Sequence, residues 1–344
     1  MMKSIADRKQ RWLDFFDWNK PVSHVYKIGY HLPISLPRMH PWLEFKEQRI
    51  AYAVEKYQRM CERAEWLNDD TIPYLDPYTG TEIFAEAFGC RVHKPDDNMP
   101  FALPMVHTAE EAARVKIPDL ASSPLMMLFE MARKMRDRTG KDAVMKLPDI
   151  QSPLDIAALI WEKSSFFMAM IEEPEAVLEL IEKTKTLLIT FLDAWFDEFG
   201  TEYIAHYPDY YMQGGLTLSE DEIGAINPQM FETFALPSLT ELSNRYGGIG
   251  IHCCANSEHQ WENLKKIPNL KLLNLIQPES VLSRAYQCFS GHTCQMHSSA
   301  CATGEPWTWP GQFSEDCRFV IQTGASERET ALELAQKLSE VCDR

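Results

Sequence analysis

The sequence lacks any run of about 18 uninterrupted apolar residues. Its most hydrophobic stretch, Leu187 to Phe196, is broken by Asp193 and lies among charged residues, so no membrane span is expected. The first residues, Met1 to Lys20, mix Asp, Arg and Lys with Trp and Phe and show no apolar core ahead of a small-residue cleavage site. No secretory leader is expected on that ground, and the cytoplasm is the expected compartment. A disulfide framework is missing too: nine cysteines at irregular spacings suit free thiols in a reducing environment. Basic residues are short, with 34 Lys and Arg against 50 Asp and Glu and a net charge of −16. Such a surface repels nucleic-acid phosphates and anionic lipid, and no basic patch is segregated from the rest. This leaves a partner with a basic face or a cationic, zwitterionic or neutral small molecule; a homodimer is a separate expectation. A Walker loop, a G-x-G-x-x-G after a strand, a G-x-S-x-G elbow and an H-E-x-x-H are all absent, which removes nucleotide and serine-hydrolase chemistry.

What is present is alternation. Tyr52 to Trp66 carries an apolar stripe at helical spacing, followed by the extended, Pro-rich Thr71 to Gly80. A helix over Ser122 to Thr139, stopped by Gly140, leads to a strand at Lys141 to Leu147. Helices are predicted over 153–170 and 174–199, then a strand at Glu202 to His206 and an aromatic loop at Tyr207 to Gly215. Asn227-Pro228 opens a helix to Tyr246, and Ile249 to Cys253, Leu272 to Ile276, Thr293 to Ser298 and Arg318 to Gln322 are further strands. Strands alternating with helices imply parallel pairing through right-handed crossovers. The prediction is an α/β fold, a TIM-like (β/α)8 barrel forming one domain over 1–344, with residues 1–20 as an N-terminal helical extension. In such a barrel the reactive groups stand at the carboxyl ends of the strands. That directs attention to Asp76, Asp149, His206, Asp209, His252, Cys254 and Asn274.

His252 and Cys254 form an H-x-C pair on an extended segment, where side chains two apart share a face. Imidazole and thiolate converging in this way suit zinc, whose catalytic sites use three protein ligands and keep one position open. The same residues would equally serve as a hydrogen-bonded core histidine and buried thiols. Cys288, His292, Cys294, His297 and Cys301 form a second concentration; from it Cys301 is the expected third ligand, although a thiol-rich strand without metal is the alternative. The loop Tyr207 to Gly215 offers a substrate wall, with Asp209 in a catalytic role and Tyr210 and Gln213 binding substrate, unless its aromatics simply cap the core. Asp149 and Asn274 are the other expected substrate contacts.

The sequence resembles the uroporphyrinogen decarboxylase superfamily, particularly its corrinoid-dependent methyltransferase branch. The likeness rests on Glu86 to Gly89, on Pro153 to Ala157 with Phe166 to Ile171 and Glu173-Pro174-Glu175, and on Asn227 to Phe234 leading to Pro237. Most specific is Gly247 to Cys254, which looks like the strand carrying the family's H-x-C zinc ligands. The resemblance implies a TIM-like barrel, a zinc ion and a corrinoid carried by a partner protein. It departs at two places. Val25 to Pro33 lacks the Arg with which the decarboxylases hold substrate carboxylates, which disfavours porphyrinogen decarboxylation. Thr323-Gly324-Ala325 stands where the methyltransferases place a last zinc cysteine. The expected function is zinc-assisted movement of a methyl group between a corrinoid protein and a small-molecule donor or thiol acceptor. The alternatives are a metal-independent decarboxylase or lyase on a small acid, with Asp149, Asp209 or Asp221 as acid/base, and a non-catalytic binding or sensing barrel.

Overall fold

The computed structural model describes residues 2–343. A first helix, Ile5–Phe16, starts in a capping box: the Ser4 hydroxyl accepts from the Asp7 amide while the Asp7 carboxylate accepts from the Ser4 amide. The strands that follow are β1 (His24–Tyr30), β2 (Tyr74–Leu75), β3 (Arg91–His93), β4 (Phe101–Leu103), β5 (Val144–Lys146), β6 (Glu202–Ile204), β7 (Tyr211–Gln213), β8 (Leu216–Ser219), β9 (Ile249–Cys253), β10 (Leu270–Leu275), β11 (Cys294–Ser298) and β12 (Phe319–Ala325). An all-parallel sheet runs β1-β12-β11-β10-β9-β8, and a second sheet runs β2-β5-β6-β7, parallel except for the β6–β7 hairpin.

The two sheets meet at both margins. On one side Gln151 bridges in parallel to Ser219, with the Ser219 amide donating to the Ile150 carbonyl at 2.8 Å. On the other the Asp70 amide donates to the Tyr26 carbonyl at 2.9 Å, and the Asp69 and Asp70 carboxylates accept from the Ile28 and Tyr26 amides. The strands thus wrap into the expected TIM-like barrel, and one buried apolar cluster extends from Trp12 to Cys342. Among the described residues no helix is long and apolar enough to cross a membrane.

The N-terminal helix lies across the amino end of the barrel. Its Trp12 indole donates to the Asp70 carbonyl at 2.8 Å and packs with Phe16 against Tyr210. Arg8, fully buried, donates to the carbonyls of Ala64, Leu67 and Thr71 and pairs with Asp69 at 3.2 Å; Arg63 pairs with the same carboxylate at 2.5 Å. Burial alone would push the Asp69 carboxyl up, but Arg63 and Arg8 together hold it below its ordinary range. Gly250 on β9 has no Cβ because the Tyr210 hydroxyl fills that space: an added Cβ would stand 2.0 Å from it.

Several boundaries differ from the sequence expectation. Helix Pro174–Phe199 and strand β9 match it, because Gly200 and the Gly247-Gly248 pair punctuate them. The helix expected over 153–170 breaks at Trp161 into Pro153–Ile160 and Lys163–Glu172, with Glu162 capping the second piece. The expected loop Tyr207 to Gly215 contains β7, and Gly214 and Gly215, at φ 65° and 88°, turn the chain into β8. Strands β1, β7 and β8 escaped because short strands buried on both faces carry no period-2 signal.

Candidate active site

At the carboxyl ends of the strands a cavity of about 490 Å³ opens, lined by Asp149, Gln151, His206, Ser219, Asp221, His252 and Cys254. Asp76, Tyr78 and Lys146 line it too, as do Tyr207 and Arg38. This is the face to which strand alternation assigned the chemistry.

His252 is the last inward residue of β9 and Cys254 the first beyond it, which brings His252 Nε2 to 3.0 Å from Cys254 Sγ. Asn274, level with His252 on β10, sets its carbonyl oxygen 2.5 Å from Nδ1. A carbonyl oxygen only accepts, so Nδ1 carries the ring proton and the Nε2 lone pair faces the thiol. Burial lowers the His252 pKa and favours neutral imidazole; burial and then Asp221 push the Cys254 thiol up to about 11. Neutral imidazole with a free Nε2 is the ligand form a metal takes, and a cation beside Sγ is what would ionise this thiol. The 3.0 Å spacing is within about half an ångström of what a tetrahedral zinc sets between N and S ligands. The pair therefore fits zinc as two of its ligands.

A third ligand is not gathered: among the described residues no three His, Cys, Asp or Glu side chains converge as a metal group. Cys301, the expected third ligand, is half-buried in the turn after β11; it and Cys254 both act on the Tyr207 phenol, yet it does not join the pair. His297 points outward instead, its Nδ1 2.7 Å from the Tyr286 hydroxyl and its ring against Trp309 and Phe313. Cys294 faces the Phe15 carbonyl and Cys288 the Glu262 carboxylate. On β11 the helix Glu279–Cys288 outside the barrel claims Gln295 and His297, which share one face of the strand.

Asp221 follows β8 and accepts from the Cys254 amide at 2.5 Å, while the Asp155 carboxylate fixes it by accepting from the Asp221 and Glu222 amides. Beneath them Glu220 is fully buried; burial and then Asp155 push its carboxyl well up, so it sits there neutral. Its amide donates to the His252 carbonyl at 2.9 Å, tying β8 to the ligand strand.

Asp149 ends the extension of β5, its amide donating to the Thr79 hydroxyl oxygen at 2.8 Å. Its Oδ1 accepts from the Gln151 amide at 2.7 Å and lies 3.5 Å from His206 Nε2, which is 3.0 Å from the Ser219 hydroxyl. Burial lifts the Asp149 carboxyl to about 6 and, with Lys146, drops His206 to about 3. His206 and Asp149 thus share a wall, one neutral and the other poised near neutrality.

Other expectations are corrected. Asp209, expected to be catalytic, has φ +62° and is bound up structurally: its carboxylate takes the Tyr74 hydroxyl at 2.8 Å and Lys146 at 2.7 Å, and its carbonyl takes Lys27. It lines a neighbouring cavity of about 260 Å³ with Lys27, Lys56 and Tyr74. Tyr210 is buried against Trp12 and Phe16, in the barrel interior. Gln213 pairs with Glu202 at the start of β6, the opposite end of the barrel from the cavity. Asn274 touches His252 rather than the cavity, so its part is to orient the ring. Arg38, which no sequence signal marked, reaches the cavity from the irregular segment after β1 and stacks 3.6 Å over the Tyr78 ring. Lys146 lies between Asp76 and Asp209, and with Lys56 it overcomes burial to keep Asp76 ionised.

A family model for uroporphyrinogen decarboxylase (URO-D) matches residues 78–280, which include β9 and its H-x-C pair. Among solved structures, a methyltransferase from Methanosarcina mazei is similar with a TM-score of 0.68 over 98% of this chain and 98% of that one, at 13% identity. That likeness is one of fold. No curated protein matches the sequence.

Proposed function

From the chain's membership of the uroporphyrinogen decarboxylase family, we propose that it moves a methyl group between a corrinoid carried by a partner protein and a small molecule, with zinc held by His252 and Cys254. The observation that carries this reading is the His252 Nε2 lone pair facing Cys254 Sγ at 3.0 Å inside the main cavity, with Asn274 fixing the tautomer. Zinc bound there would supply Lewis acidity, lowering the pKa of a thiol or polarising a methyl donor. The chain's own residues do the rest. Asn274 orients the ring, Asp221 holds the Cys254 backbone, and Asp76, Lys146 and Arg38 add charged groups to the cavity lining.

The test is transfer between methylcobalamin, or its reduced demethylated form, and a panel of thiols and O-, N- and S-methyl compounds. His252→Ala and Cys254→Ala should each lose about 10²-fold or more in rate while remaining folded. Undiminished transfer by both variants would defeat the proposal. A second reading is favoured by one observation, the Asp149 carboxyl lifted to about 6 in the same cavity. This is a metal-independent lyase or decarboxylase on a small acid, and carbon dioxide or alkene release insensitive to His252→Ala would establish it.

A further inference from the structure

Part of the cavity lining is built around one carboxyl group, that of Asp149. Asp149 is held from three sides: Thr79 at its amide, Gln151 at Oδ1, and His206 within 3.5 Å of the same Oδ1. Among the described residues no hydrogen bond falls on Oδ2, and the side chain keeps 26% of its surface exposed although it ends a buried strand extension. That free oxygen belongs to the cavity that Asp149 shares with His252 and Cys254. His206 cannot compete for a proton there. Its Nδ1 is buried without a partner and its Nε2 faces two oxygens, Ser219 Oγ and Asp149 Oδ1, so the neutral ring carries its hydrogen on Nε2 and donates.

We propose that Asp149 is the general acid of the reaction, delivering a proton from Oδ2 to the leaving oxygen of an O-methyl donor, with Gln151 and His206 as positioning residues that occupy Oδ1. The proposal rests on the methyl-transfer reading. A reduced corrinoid supplies the electron pair of the new bond to the methyl carbon, and the C–O pair stays on oxygen. The Asp149 proton converts that oxygen to a hydroxyl, and the resulting carboxylate recovers a proton from solvent. The substrate class follows from leaving-group chemistry. An ether oxygen departs as an anion and needs a proton, whereas a quaternary ammonium departs as a neutral amine and needs none.

The groups facing Asp149 set the direction of its pH response. Burial and Asp221 raise its carboxyl while Gln151 and Lys146 lower it, and the Asp149 charge in turn raises the Glu82 carboxyl. An acid acts while protonated, so kcat/KM for an ether should fall as pH rises through about 6. Gln151→Leu removes a hydrogen bond that favours the ionised form, so that falling limb should move to higher pH.

The decisive experiment compares wild type with Asp149→Asn, using reduced free cobalamin as acceptor and two donors, methoxybenzene and its para-nitro derivative. The nitrophenolate leaves without a proton. The variant should lose about 10²–10⁴-fold in kcat on methoxybenzene and markedly less on the nitro compound. Calorimetric affinity for both ethers should stay within about three-fold, since uniform binding is not what the acid supplies. Equal losses on both donors, or a pH profile unmoved by Gln151→Leu, would overturn the proposal while leaving methyl transfer intact. Failure of the wild type to methylate cobalamin from either ether would instead overturn the methyl-transfer reading, and the acid role with it.

Discussion

At the residue scale, the chemistry of the cavity depends on which atom of each side chain is free. His252 is useful only because Asn274 takes Nδ1 and leaves Nε2 toward Cys254. Partners of metal-bound histidines typically contribute about 10–100-fold to affinity. Asn274→Leu should therefore retain the fold but weaken zinc binding by that factor in competition with a chromophoric chelator; unchanged affinity would show that the ring needs no such support. Asp209 is the contrary case, a carboxylate at a strand end whose free atoms are already spent. Asp209→Ala would strip a partner from Lys146 and Tyr74, and the expected cost is about 1–3 kcal/mol of stability, measured by urea denaturation. A stable variant with impaired turnover would return Asp209 to catalysis. Residue type and position at a strand end were enough to place His252, Cys254 and Asp149 on the cavity. The sequence misassigned Asp209, Tyr210 and Gln213 because side-chain direction around an unexpected hairpin is not encoded in spacing. Arg38 was invisible for a similar reason: it stands in a segment with no periodicity, eight residues beyond the end of β1.

At the element scale, helices with marked ends were legible and short strands were not. Ser4, Ser152 and Asn227 cap their helices with side-chain acceptors, and Gly140, Gly200 and Gly247 stop theirs. The joint between the N-terminal helix, β1 and the β2 approach instead depends on Asp69, where Arg8 and Arg63 meet one carboxylate and the Ile28 amide. Removing that charge leaves two buried guanidinium groups uncompensated, so Asp69→Ala should cost about 3–5 kcal/mol in denaturant titration. Arginine pairing depresses the folded pKa of Asp69. The stability it contributes is thus complete above the unfolded value near 3.9 and is lost as pH falls below it, through the depressed folded value. Stability measured downward from pH 5 should decline less steeply in Asp69→Asn than in wild type; parallel declines would remove Asp69 from the acid response.

At the scale of the whole molecule, strand alternation was sufficient for the barrel because parallel β/α units allow few closures. The family match and the structural likeness agree with it. Such a core does not need a metal staple, so removing zinc should leave far-ultraviolet circular dichroism unchanged and lower the melting temperature only modestly. Loss of secondary structure on chelation would assign the ion a folding role instead. Within that frame the central claim is that the His252–Cys254 pair binds zinc, and metal content tests it most directly. Protein purified without chelators and resupplied with zinc should carry about one ion per chain, and His252→Ala and Cys254→Ala should each carry almost none. Wild-type protein that holds no stoichiometric metal after zinc is supplied, or variants that hold as much as wild type, would contradict it.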